Sequence, residues 1–390
     1  MKFIDRSKSN AEKYRLKEEL FATENVIPMW VADMDLETPS FVIEAIEQRL
    51  KHPVLGYEIM PKSAYESGIN WIQQKYNYKT KQEWMFFSPS VVASISLVIR
   101  AFTQVGDKVV VQTPVYAKFF KQVQNNGREV VINALKKDVQ GDYGFDFEDL
   151  KSKIDDKTKL LILCSPANPV GRVWKQEELK ELASICLENN ILVFSDEVHS
   201  DLVYAPHIHT PFASLSKEVE NITLTANGVG KTFNLSGLNI STLTIANKTL
   251  REKFQKEYDA IHFGEGSCLS HIAHEVAYKN SQEWLDVLLP HLQNNAINLH
   301  KMLQKHSDKI EFKIPQGTYL AWLDCNKMNL SDKKLREFFV QKAKLGLSAG
   351  ISFGREGSGY MRLNFALSHE VMQEAITNLD KALREFTLNE

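Results

Sequence analysis

Three residues of different chemistry follow three short apolar runs. The run 160–164 leads into Ser165-Pro166-Ala167-Asn168-Pro169, the run 191–194 into Ser195-Asp196-Glu197-Val198-His199, and the run 222–225 into Ala226-Asn227-Gly228-Val229-Gly230-Lys231. Ligands of open α/β sheets sit at the carboxyl ends of the strands. If the three runs are strands of one such sheet, an amide, a carboxylate and an amine reach the same edge. An amine in that company can act as a covalent nucleophile and as a proton carrier. Each residue taken alone also has an ordinary structural role. Asn168 before a proline suits a turn, Asp196 suits a helix cap, His199 suits a hydrogen-bonded loop, and Lys231 suits the surface. Packing does not ask for all four in this order.

The elements that must carry these residues are legible in outline. The runs 109–111, 160–164, 191–194, 222–225 and 241–246 are short, aliphatic or β-branched, and bounded by Pro, Asp, Asn or Gly, as buried strands are. Between two of them, Leu179, Leu182, Ile185 and Cys186 repeat at helical spacing within 175–190. Strand–helix–strand succession of this kind implies a mostly parallel sheet sandwiched by helices. After residue 280 the texture changes. A helical pattern covers 281–305, the stretches 311–315 and 319–324 read as antiparallel strands, and 369–386 reads as an amphipathic helix. The expected organisation is a large α/β domain over 50–280 and a smaller α+β domain built from both termini, 1–49 and 281–390. The apolar island 26–33 is expected at their junction.

Composition narrows the function. The 390 residues carry a formal net charge of −2, with 43% hydrophobic and 25% charged residues. That balance offers no electrostatic footprint for nucleic acid or an anionic membrane. The four cysteines (Cys164, Cys186, Cys268 and Cys325) lie far apart with no CxxC spacing, so neither a metal site nor a disulfide framework is expected. Free thiols, a polar start without a signal-peptide core, and no apolar stretch of the roughly 20 residues a bilayer needs point to the cytoplasm.

The segments Asn168-Pro-Val-Gly-Arg172, Ser195-Asp-Glu-Val-His199-Ser-Asp201 and Lys231-Thr-Phe-Asn-Leu-Ser-Gly-Leu238 resemble those of the fold-type I (aminotransferase class I/II) enzymes, which depend on pyridoxal 5'-phosphate (PLP). The likeness is to the MalY/PatB-like branch of cystathionine β-lyases and C–S lyases. It extends to Pro28-Met-Trp-Val-Ala-Asp-Met-Asp35, Gly56-Tyr57, Pro114-Val-Tyr116 and Gly359-Tyr-Met-Arg362-Leu-Asn-Phe365, and so runs from about 25 to 385. The resemblance implies that Lys231 holds PLP as a Schiff base and, once released, removes the substrate Cα proton. It further implies that Asp196 pairs with the ring nitrogen, Asn168 hydrogen-bonds the ring 3'-oxygen with His199 nearby, and Tyr116 stacks on the ring. Arg362 would grip the substrate α-carboxylate through its planar guanidinium, with Asp33 and its segment approaching the same group. Ser90, Val91 and Val92 open an apolar helical stretch, whose first N–H groups would meet the phosphate. Tyr57 would reach the phosphate and substrate of a neighbouring subunit, making the protein a homodimer. At Gly228 and Gly230 the chain departs from the family, which usually carries hydroxyl residues there and glycine where Ser90 stands.

The branch implies a reaction: α,β-elimination on an S-substituted L-cysteine, such as cystathionine or a cysteine conjugate, giving a thiol, pyruvate and ammonia. An aminotransferase acting on a small amino acid is the alternative, since the same lysine, aspartate and arginine serve both chemistries. A regulatory partner of a transcription factor is a further alternative from another class.

Overall fold

A computed structural model describes residues 2–264 and 266–387. The chain divides into two compact units, one of Thr38–Pro166 and Val173–Leu285, the other of Met1–Glu37, Ala167–Arg172 and Asp286–Glu390. The boundaries expected at 49/50 and 280/281 thus compare with divisions at 37/38 and 285/286, and Ala167–Arg172 belongs with the terminal segments.

The larger unit contains, in chain order, α1 (Lys62–Tyr76), β1 (Met85–Ser88), α2 (Val91–Phe102), β2 (Lys108–Thr113), β3 (Glu129–Ala134), β4 (Thr158–Cys164), α3 (Gln176–Glu188), β5 (Leu192–Asp196), β6 (Thr223–Asn227), the single turn α4 (Val229–Thr232) and β7 (Ser241–Ile245). The strands form one sheet in the order β1-β7-β6-β5-β4-β2-β3. Neighbours pair in parallel, except that β7 is antiparallel to both β1 and β6.

Side-chain alternation explains why the strands read as unbroken apolar runs. Val109 and Val111 on β2 share a core cluster with Leu160 and Ile162 on β4. The intervening Val110, Leu161 and Leu163 are equally buried but lie outside that cluster. A parallel sheet covered on both faces needs apolar residues at every position. Each such side chain contributes about 1.5–3 kcal/mol on burial, so the strand ends stand on a rigid base. On α2, Ile95, Val98, Ile99 and Phe102 join the same cluster at helical spacing. The helix starts where Ser90 Oγ accepts from Ala93 N at 3.2 Å.

In the smaller unit, β8 (Leu320–Asp324), β9 (Ser348–Ala349) and β10 (Tyr360–Asn364) form an antiparallel sheet with β10 central. Helix α5 (His369–Glu385) starts at Ser368, whose Oγ accepts from Val371 N at 3.3 Å, and buries Met372, Ile376, Leu379 and Leu383. The apolar island 26–33 lies in this unit, where Ile27 and Pro28 pair in parallel with Leu345 and Gly346. The helix expected from 281 runs Ser281–Leu303. The strand expected over 311–315 does not form: Glu311 makes only an isolated bridge with Asp324. The reason is local. Pro315 has no N–H to give a ladder, and the Phe312 carbonyl is taken by His300 Nδ1 at 2.9 Å.

Candidate active site

In the larger unit, Asp196 is the last residue of β5 and lies opposite Ala226 of β6. The chain beyond β6 turns through Gly228 into α4, which carries Lys231. Asp196 is 7% exposed, and among the described residues one hydrogen bond reaches its side chain, from Val198 N at 3.3 Å. Burial pushes its carboxyl up to about 7. The Val198 amide and the Lys231 amine act in the opposite direction, and Glu197 adds to the rise. A buried carboxylate with so little satisfaction is costly unless a positive or proton-donating group is brought to it.

The segment after Asp196 is held by Glu197, a buried carboxylate. Its Oε1 accepts from Ser195 Oγ at 2.7 Å and from Phe212 N at 3.0 Å, while Oε2 meets His209 Nε2 at 3.1 Å. His199 lies two residues further on and is buried. Tyr116 follows β2 and packs against the main core cluster, its ring edge-on to Phe119 with centroids 6.1 Å apart.

The start of α2 stands at the same sheet edge, because Ser88, at the end of β1, is in register with Ser241, at the start of β7. Val91 and Val92 supply its first N–H groups, which have no partner within the helix, while the Ser90 hydroxyl is occupied in capping. Thr242 of β7 is in register with Asn227, which brings Gly228 beside Ser241. A Cβ on Gly228 would stand 3.2 Å from Ser241 Cβ, and one on Gly230 would stand 3.2 Å from Ser236 Oγ. Two hydroxyls therefore flank the two glycines: Ser241 Oγ donates to Ser88 O at 3.1 Å and Ser236 Oγ to Gly230 O at 3.3 Å.

The smaller unit gathers a second set. Arg362 sits mid-strand on β10, 5% exposed. Its Nη1 donates to Asn168 Oδ1 at 3.1 Å, and its Nη2 donates to Trp30 O at 2.6 Å and Ser348 Oγ at 3.3 Å. The guanidinium also lies over the Phe353 ring, 4.8 Å from its centroid. Asn168 is presented by a tight turn in which Gly171 N donates to Ala167 O and Gly171 O accepts from Gln316 N and Gly317 N. The turn needs glycine at 171, where φ is +69° and a Cβ would meet Pro315 Cβ at 2.4 Å.

Asp33 is placed differently from expectation. Its carboxylate is engaged by Arg6 Nη1 at 2.8 Å and lies 3.7 Å from the fully buried Lys13 amine, which binds Asp35 at 2.7 Å. It is the backbone of its loop that reaches Arg362, through Trp30 O. That loop is fixed from beneath by Asn364 Nδ2, which donates to Val31 O and Asp33 O, and by Tyr319 OH, which donates to Ala32 O at 2.9 Å. Arg6, Lys13, Asp35, Tyr319 and Asn364 escaped the sequence, since nothing in a local pattern pairs residues so far apart along the chain. Tyr57 lies fully exposed in an extended stretch with Val54, Leu55 and Ile59, also exposed. Among the described residues, no cluster of His, Cys, Asp or Glu could hold a metal ion, and no helix is long and apolar enough to cross a membrane.

The family pattern of aminotransferase class I and II matches residues 24–379. The chain belongs to this family. It is 39% identical over 367 residues to cystathionine beta-lyase PatB of Bacillus subtilis (strain 168), covering 94% of each chain. Among solved structures, a PLP-bound protein of Clostridium difficile 630 is similar with a TM-score of 0.96 and 39% identity, covering 98% of both chains. The PLP-bound C–S lyase of Staphylococcus hominis is similar with a TM-score of 0.89 and 33% identity, covering 98% of this chain and 97% of that one.

Proposed function

We propose that the protein is a PLP-dependent carbon–sulfur lyase that cleaves S-substituted L-cysteines, such as cystathionine or cysteine conjugates, by α,β-elimination. The observation that carries this reading is its 39% identity, over 94% of both chains, to a cystathionine β-lyase. The residues present fit the cofactor. Asp196 is a buried carboxylate short of hydrogen bonds beside the Lys231 amine, the environment a protonated ring nitrogen would satisfy. When bound, PLP supplies an electrophilic aldehyde and a ring able to accept the electron pair released at the substrate Cα.

The residues of this chain supply the rest. The Lys231 amine would hold the cofactor through its aldehyde and would carry the proton from the substrate Cα. Asp196 would keep the ring nitrogen protonated, Asn168 and His199 would serve the ring 3'-oxygen, and Tyr116 would cover the ring. The N–H groups of Val91 and Val92, with Ser90 at the helix start, receive the phosphate. Gly228 and Gly230 let their backbone come close while offering no hydroxyl, and the Ser236 and Ser241 hydroxyls beside them already donate to backbone carbonyls. Arg362 binds the substrate carboxylate and is held ready by Trp30 O and Asn168. The Cβ–S bond breaks with its electron pair on sulfur, the thiol leaves, and water converts the remaining three-carbon fragment to pyruvate and ammonia.

Two copies would share their sites, each lending Tyr57 to the other; the fully exposed Tyr57 within an apolar stretch supports this arrangement. A cytoplasmic location fits the four free cysteines, three of them buried. The deciding assay incubates the PLP-loaded enzyme with cystathionine and several cysteine conjugates. Pyruvate and free thiol should form without any added keto acid. Product formation only when a keto acid is supplied would show an aminotransferase instead.

A further inference from the structure

Asp201 lies five residues beyond Asp196, is 6% exposed, and takes no part in the chemistry described above. Its carboxylate nonetheless collects three donors. Oδ1 accepts from Trp71 Nε1 at 2.8 Å and Tyr76 OH at 3.0 Å, both on α1, and Oδ2 accepts from Thr232 Oγ1 at 3.1 Å. Burial holds the Tyr76 phenol well above its ordinary pKa, so it remains a donor. Thr232 is fully buried and is held at a second point, where its carbonyl accepts from Trp284 Nε1 at 2.7 Å.

Thr232 adjoins Lys231 on α4, a helix of four residues. One turn of helix has no cooperative stability of its own. The backbone is permissive as well, since Gly228 precedes the turn and Gly230 lies within it. The direction in which Lys231 leaves the backbone must therefore be set from outside the turn. Hydrogen bonds to a charged acceptor are the stronger kind, and the Thr232–Asp201 bond is anchored in turn to the long helix α1. We infer that Asp201 is a positioning residue for Lys231, acting through the Thr232 hydroxyl to hold the lysine-bearing turn in its working orientation.

The inference rests on the reading of Lys231 as the cofactor lysine, and the test separates the two. Borohydride reduction of the wild-type holoenzyme, followed by peptide mass analysis, should leave the cofactor on Lys231; its absence from Lys231 overturns that underlying reading by itself. Thr232→Val removes the hydroxyl while keeping the shape. It should lower kcat about tenfold and slow the appearance of the bound-cofactor absorbance when PLP is added to stripped enzyme by a similar factor, with KM changed less than about twofold. Thr232→Ser should restore both. Adding Asp201→Asn to Thr232→Val should cost no more than Asp201→Asn alone, because both changes break one link. If Thr232→Val loads cofactor and turns over like wild type, or if serine fails to restore the loss, Asp201 is structural support only and the inference is wrong. The serine–valine comparison decides the matter even if Asp201→Asn does not fold.

Discussion

At the scale of single residues, Asp196 shows how a fold prepares a charge for a partner. Its carboxyl is raised from 3.8 to about 7, chiefly by burial. The unfolded chain gives up this proton near pH 4 and the folded chain only near 7, so between those values the folded state binds more protons. In protein stripped of cofactor, stability should therefore fall as pH rises from about 4 to 7 and stay low above it. Asp196→Asn removes that penalty. The stripped variant should be more stable than stripped wild type at pH 8 and close to it at pH 4, measured by denaturant unfolding. Equal stabilities at pH 8 would show that the carboxylate is not under strain. Asp33 makes the opposite point, because its carboxylate already has the positive charges of Arg6 and Lys13 beside it. It serves the site by fixing a loop whose backbone touches Arg362.

At the scale of elements, the site depends on short connections more than on the long helices. Asn168 meets Arg362 because the turn 167–172 folds back on itself and is gripped by Gln316 and Gly317. The positive φ of Gly171 and its close approach to Pro315 leave no room for a side chain. Gly171→Ala should destabilise the protein by more than about 1 kcal/mol and weaken substrate binding by displacing Asn168, seen as a lower Tm together with a higher KM. A variant with unchanged Tm and KM would mean that the turn does not position Asn168. The strands are a contrasting case. Their apolar runs were plain in the sequence because both faces of a parallel sheet are buried, whereas β3, at the sheet edge, mixes Val130-Val131-Ile132 with exposed positions and the polar Glu129 and Asn133.

At the scale of the whole molecule, the exposed Tyr57 invites a test of shared sites. A Tyr57→Ala chain lacks what it should lend its partner, and a Lys231→Ala chain lacks its own lysine. Each variant alone should be nearly inactive. Unfolded and refolded together in equal amounts, they should recover about a quarter of wild-type activity, since half of the randomly paired dimers would contain one intact site of two. No recovery, with dimers confirmed by sedimentation, would place Tyr57 and Lys231 in the same chain's site or outside any site.

What the sequence determined by itself was the sheet and which polar residues follow its strands. A buried parallel strand is apolar throughout, so a polar residue marks its end in the one-dimensional pattern, as Asp196 does for β5. What only the tertiary structure decided was how those residues are held. The Asp201–Thr232 bond, the Glu197–His209 pair, the serines flanking Gly228 and Gly230, and the Arg6–Asp33 and Lys13–Asp35 pairs all join residues distant in the chain or lying on different elements. Polar partners of this kind follow no period, because a hydrogen bond needs only two atoms at the right distance. Periodicity in sequence records burial; the orientation of Lys231 and Arg362 comes from contacts that exist only once the chain has folded.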